Sequence, residues 1–249
     1  LRYFVELAYN GKAYHGWQNQ PDAISVQETL EKALFTLLQV ETPVVGAGRT
    51  DAGVHATQYF AHFDADSIGD LQDWVYKLNS VLPPDIAVYD LFKVTDQAHA
   101  RFNAVSRSYQ YHIVLRKDPF NFDAAHYVKN PLDVQKMNKA ASTLMNYVDF
   151  KCFSKSKTDV NTYNCTITHA AWSKEGDKLV FYITANRFLR NMVRALVGTL
   201  LEVGYGDKTV EDIKDIVASK DRSRSGKSVA ARGLYLQDIG YNWDEYREQ

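Results

Sequence analysis

Cysteine is nearly absent. Cys152 and Cys165, the two in 249 residues, supply neither a disulfide framework nor Cys-x-x-Cys metal spacing, so a reducing compartment, the cytoplasm, is the expected location. Long hydrophobic runs are missing as well: no apolar stretch approaches the roughly 20 residues of a membrane helix, and the opening Leu1-Arg2-Tyr3-Phe4-Val5-Glu6 has no signal-peptide core. The expectation is a soluble, unexported protein with no membrane partner. Nor is there an excess of one charge sign: 29 Lys and Arg face 30 Asp and Glu, a formal net charge of −1, which excludes a global attraction to nucleic acid. The balance is uneven, however. Residues 1–100 carry 6 basic and 13 acidic side chains and residues 101–249 carry 23 and 17, a split that hints at a polyanion held by one face. What is present is core-forming material, 45% hydrophobic with 24% charged, enough for two small domains and too much for disorder as the main state.

Residues 2–9 are aromatic and aliphatic and end at Asn10-Gly11, a strand and its turn. Ser25 and Glu28 form a capping-box pattern ahead of Val26, Leu30, Ala33, Leu34, Leu37 and Leu38, which predicts a helix over 25–39. Strands follow at 43–47 and at 57–64, where Tyr59, Ala61 and Phe63 alternate with Gln58, His62 and Asp64. A helix near 70–80 is stopped by Pro83-Pro84, and a strand spans 86–94. The second half repeats the order: strand 106–115, helix 132–147, strands 166–173 and 178–185, helix 187–203, an added helix at 209–219 and a last strand at 234–241. Two tandem β-α-β-β-α-β units predict an α+β, ferredoxin-like protein with domains at 1–100 and 101–249, each a sheet with helices on one face. The polar, basic stretch 151–164 reads as an exposed loop.

The chemistry centres on Gly46-Ala47-Gly48-Arg49-Thr50-Asp51-Ala52-Gly53-Val54-His55-Ala56, between two predicted strands. Three glycines so close imply conformations or approaches that side chains would forbid. As an ordinary strand connection, Asp51 would cap a turn and Arg49 would pair with it. A phosphate loop is disfavoured, since the Gly-Lys-Ser/Thr ending is missing and no helix follows the glycines.

Gly48-Arg49-Thr50-Asp51-Ala52-Gly53-Val54-His55 resembles the signature of the TruA family of tRNA pseudouridine synthases. Further matches run in order along the chain: Arg2-Tyr3-Phe4 with Tyr14-His15-Gly16-Trp17-Gln18, then Arg107-Ser108-Tyr109-Gln110-Tyr111, then Phe188-Leu189 with Met192-Val193-Arg194 and Val197-Gly198, and finally Gly233-Leu234-Tyr235-Leu236. One departure is Ala230-Ala231-Arg232, where family members often carry Ala-Pro-Ala. The resemblance implies two α+β domains meeting across a central antiparallel sheet with a cleft lined by the Asp51 turn. It also implies tRNA as substrate, at anticodon stem-loop positions 38, 39 and 40, and a homodimer in which one tRNA contacts both subunits.

By that resemblance Asp51 is the nucleophile, attacking uracil C6 or ribose C1′ or assisting loss of a 2′ proton. Arg194 is its partner, holding it ionised, although a basic residue on so apolar a helix also reads as one that reaches out to solvent. Tyr109 stacks on the target uracil and is a candidate to shuttle the C5 proton, while Tyr111, on the same strand face, reads as packing. Arg49, two residues before Asp51 and so on the same side of an extended segment, would hold the flipped nucleotide by its phosphate or fill the vacated space. His55 either touches RNA or is bonded within the turn. Lys151, Lys155 and Lys157, and Lys220, Arg222, Arg224, Lys227 and Arg232, are candidate phosphate contacts, against the bland reading of a solvated surface. Cys152, Cys165 and His169 match no common zinc spacing, and neither metal nor organic cofactor is expected. Two other readings compete: a catalytically silent RNA-binding protein of the same fold, and a glycosidase that cleaves the same bond, for which no second carboxylate is evident near the motif.

Overall fold

In the computed structural model, which describes residues 1–156 and 160–247, the chain is mixed α+β, with nine mostly antiparallel strands and five α-helices among the described residues. It divides into two compact units, Leu1–Val105 with Leu236–Gln249, and Ser106–Tyr235.

The first unit runs β1 (Arg2–Tyr9), α1 (Val26–Leu38), β2 (Val45–Gly46), β3 (His55–Asp64), α2 (Leu71–Val81) and β4 (Ile86–Val94). β1 pairs antiparallel with β3, Phe4 opposite His62, and with β4, Phe4 opposite Phe92, while β2 joins β3 through Gly46 and Ala61. Helix α1 starts as expected, Ser25 Oγ accepting the Glu28 N–H at 3.1 Å, and its apolar stripe is buried at Leu30 and Leu34.

Strand β3 departs from simple alternation. His62, expected on the polar face, is only 4% exposed. The reason lies at the far end of the chain, where Tyr241 and Trp243 pack edge-on against Phe60 at 5.4 and 5.2 Å and against Phe4 at 5.8 and 5.7 Å, covering that face. His62 stacks on Phe4, and its Nδ1 accepts the Ala100 N–H at 3.1 Å. Burial, reinforced by the nearby Arg2 guanidinium, lowers the His62 pKa to about 4. Since the folded value lies below the ordinary 6.5, the neutral ring's contribution is complete above pH 6.5 and is lost as pH falls toward 4. Urea unfolding should show a loss of about 2 kcal/mol across that window, after discounting for screening. A His62→Gln variant should be less stable at pH 7 but lack that part of the slope; an unchanged slope would assign it elsewhere.

The second unit is entered within β5 (Ala104–Val114), followed by β6 (His126–Tyr127), α3 (Val134–Thr143), β7 (Ile167–Glu175), β8 (Lys178–Ala185), α4 (Met192–Tyr205), α5 (Asp212–Ser219) and the start of β9 (Leu234–Tyr241). β8 lies between β5 and β7, antiparallel to each, with Tyr109 opposite Ile183 and Tyr111 opposite Phe181. The two-residue β6, parallel to β5, has no sequence counterpart in the reading above because so short a strand carries no period. Helix α4 begins at Met192 rather than 187: Asn191 sits in the left-handed region at φ 65° and separates a preceding turn from the helix. The α-helix expected over 132–147 ends at Thr143 and tightens into a 3₁₀ turn, Leu144–Asn146.

The stretch 151–164 is not simply an exposed loop. Cys152 and Phe153 are 0% exposed on a 3₁₀ turn, Lys151–Phe153, anchoring it in the core. Lys157 lies outside the described residues. No helix among the described residues is long and apolar enough to cross a membrane.

Candidate active site

The Gly-rich turn rests on three aromatic rings. Trp17 stacks on Tyr59 at 4.1 Å, and Tyr9 meets the two at 6.3 and 5.7 Å. Gly46 lies against this platform, where a Cβ would overlap the Trp17 indole and the Tyr59 hydroxyl, and Gly53 adopts φ +77°. Gly48 differs from expectation: a Cβ there would meet nothing within 4 Å, so its smallness is not forced by packing. Tyr59 instead grips its backbone, the hydroxyl taking the Gly48 N–H at 3.2 Å and donating to the Gly48 carbonyl.

From there the chain is fastened at almost every step. Trp17 N–H donates to the Thr50 carbonyl at 3.4 Å, Tyr9 Oη bonds Thr50 Oγ1 at 2.9 Å, Gly53 N–H donates to the Tyr14 carbonyl at 3.2 Å, and Val54 N–H closes a turn on the Asp51 carbonyl at 3.1 Å. Arg49 is exposed and Asp51 half-buried at the crest. His55 is 3% exposed, and its Nδ1 accepts the Gly11 N–H at 3.1 Å. That nitrogen is therefore deprotonated, and the imidazole ties the turn after β1 to the start of β3. The carboxylate of Asp51 is thus presented on a backbone with little freedom to move, the arrangement nucleophilic catalysis needs.

In the second unit, Tyr109 is half-buried on β5 with its ring edge-on to Phe188 at 5.2 Å. Tyr111 is 0% exposed and donates to the Ala230 carbonyl at 2.8 Å. Its phenol is pushed well up by burial, with Arg194 and Arg232 pulling the other way. Arg194 is half-buried and bound at both ends to one residue: its Nε donates to the Val229 carbonyl at 2.7 Å, and its own carbonyl accepts the Val229 N–H at 3.2 Å. Gly226 N–H donates to the buried Thr199 Oγ1 of α4 at 2.8 Å. Segment 225–230 is thereby stitched along α4, with Arg194 as one stitch. Ala230, the residue before the position where family members often carry proline, has an extended backbone (φ −58°, ψ 142°) of the kind a residue preceding proline adopts, and Arg232 Nε holds the next turn through the Ala125 carbonyl at 3.1 Å.

Lys155 and Arg224 are exposed. Arg222 turns inward, its Nη1 donating to Ser225 Oγ at 2.8 Å and the Gly226 carbonyl at 3.1 Å and its Nη2 to Ser228 Oγ at 2.9 Å. Among the described residues, no group of three or more His, Cys, Asp or Glu is placed to hold a metal ion. Tyr59, Tyr9 and Thr199 do work that sequence reasoning did not assign. For Tyr59 the signal was its inward place in the β3 alternation; for Thr199, a hydroxyl within the apolar run 195–201 of α4.

A family model for tRNA pseudouridine synthase matches residues 140–242. The chain is 52% identical over 241 residues to the tRNA pseudouridine synthase A of Parabacteroides distasonis, covering 96% of each chain. It is 50% identical over 251 residues to that of Bacteroides thetaiotaomicron (100% of this chain, 93% of the relative). With the protein of the same name from Bacillus subtilis it shares 38% over 246 residues (97% and 100%). Such identity, sustained over essentially the full length and in agreement with the resemblance carried by Gly48–His55, means that this chain belongs to the tRNA pseudouridine synthase family.

Proposed function

We propose that the protein isomerises uridine to pseudouridine in the anticodon stem-loop of tRNA, at positions 38, 39 and 40, with Asp51 as nucleophile. The reaction breaks the bond from C1′ to N1, turns the detached uracil and rejoins C1′ to C5; C5 loses a proton and N1 gains one, so the product is an isomer of equal mass. It needs no redox change and no energy input. The observation that carries the reading is Asp51, held half-buried in a turn whose backbone is bonded on both sides of it, in a chain of this family.

Asp51 acts at uracil C6, at ribose C1′ or on a 2′ proton, and Arg194 is a further catalytic residue. Tyr109 stacks on the base, an interaction worth about 1–3 kcal/mol. Arg49, exposed at the crest, engages the flipped nucleotide's backbone or the space it leaves. His55 supports the turn through the Gly11 N–H. Lys155 and Arg224 contact phosphate, with Arg222 beside them. The accompanying architecture is two tandem ferredoxin-like β-α-β-β-α-β units, an order that the first unit follows and the second follows with β6 and α5 added, working as a cytoplasmic homodimer.

The test is pseudouridine mapping of an unmodified tRNA transcript incubated with the purified protein. Conversion confined to the anticodon stem-loop is expected. Binding without conversion would favour an RNA-binding protein, and an abasic site cleaved by aniline would mark a glycosidase.

A further inference from the structure

The two basic stretches, far apart in sequence, face each other across one groove of the second unit. This open groove of about 650 Å³ is lined by Lys151, Lys155, Lys220 and Arg222, with Asp221 the one acidic side chain of the lining, and by three serines and Tyr163. Its walls are fixed. Cys152 and Phe153 are wholly buried beneath one wall, and Ser225 Oγ of the other donates to the Cys152 carbonyl at 2.7 Å. The Asp221 carboxylate is engaged locally, accepting from Ser223 N–H and Oγ at 2.8 Å each. The guanidinium of Arg222 is spent on the loop behind it, which makes it a brace that adds charge without reaching outward.

We propose that this groove holds sugar-phosphate backbone of the tRNA substrate, with Lys151, Lys155 and Lys220 contacting phosphates and Tyr163 offering its ring to an adjacent base. The assignment rests on the reading of the protein as a tRNA-modifying enzyme. An open, polar trough with four cations suits an extended polyanion better than an enclosed small molecule. Lys220 pairs with Asp149 at 2.8 Å, but both side chains are partly exposed, and so weak a surface pair yields readily to a phosphate. Lys151 Nζ lies 5.5 Å from the Tyr163 ring centre, placing a cation and a stacking face side by side, the combination that single-stranded RNA sites use.

The experiment measures tRNA affinity against salt concentration for the wild type, for a Lys151→Gln/Lys155→Gln double variant, for Tyr163→Ala and for Lys139→Gln, an exposed lysine of α3 outside the groove. The double variant should bind about tenfold more weakly near physiological salt, and its slope of log K against log salt should be flatter by about 1.5. Tyr163→Ala should weaken binding several-fold without changing the slope, and Lys139→Gln should match the wild type. A double variant with wild-type slope and affinity overturns the groove as an RNA site, and a Tyr163→Ala variant with wild-type affinity overturns the stacking role. Should the wild type neither bind nor convert tRNA, it is the functional reading that falls.

Discussion

Asp51→Ala is expected to lower pseudouridine formation by at least about ten-thousandfold while leaving tRNA affinity within about tenfold of the wild type. The fold of the turn gives this separation its basis. Bonds through the Thr50 carbonyl and hydroxyl, the Asp51 carbonyl and the Gly53 N–H help to shape it, and alanine at position 51 preserves these. Asp51→Asn keeps the shape and removes the charge, so it should be as inactive as the alanine variant; Asp51→Glu keeps the charge but shifts it by about one methylene, and positional error of about 1 Å already costs some hundredfold. Mapping, filter binding and thermal melting on the same preparations check this. Loss of binding together with activity, or a melting point lower by more than about 8 °C, would make Asp51 a structural residue. An active Asn variant would exclude it as nucleophile.

Gly16→Ala should damage the same site from beneath. Gly16 has φ +88°, and a Cβ on it would overlap the Thr50 carbonyl oxygen and come within 3.2 Å of Asp51 C. The left-handed backbone costs alanine about 1–2 kcal/mol, and relieving the clash, which is with backbone, adds a further ~1–3 kcal/mol. A stability loss of about 3 kcal/mol is expected, read by urea unfolding. Relief of the clash also displaces Thr50 and Asp51, so activity should fall about a hundredfold in protein that remains folded. Gly206→Ala is the control: φ is nearly the same at +84°, but a Cβ there meets nothing within 4 Å, so it should show the backbone cost alone and keep full activity. Equal activity losses in the two variants would mean that global instability, and not the turn, is responsible.

Much of this architecture is readable along the chain because it is local. The Ser25 cap, the α1 stripe, the Pro83-Pro84 stop after α2 and the span of β9 all follow from short-range periodicity and capping. The misreadings occur where distant segments cover what a local pattern leaves open. β3 reads as one polar and one apolar face, yet His62 is buried because Tyr241 and Trp243 close over Phe4 and Phe60. Residues 151–164 read as solvated because their composition is polar, yet Cys152 and Phe153 reach the core. Arg222 reads as a phosphate ligand because it is basic, yet its Nη1 and Nη2 turn inward to Ser225, Gly226 and Ser228; no spacing rule reports where a guanidinium points.

By itself, then, the sequence determined the order of the elements other than β6, the Gly48–His55 string and the family to which that string belongs, all of which depend on residue type and near-neighbour spacing. Only the tertiary structure decided that Tyr59, Tyr9 and Trp17 form the platform beneath Asp51, that residues 236–249 group with the first unit, and that two separate basic stretches line one groove. These are contacts between residues remote in the chain, selected by packing and by the need to satisfy buried polar groups, and neither constraint leaves a periodic trace in a linear sequence.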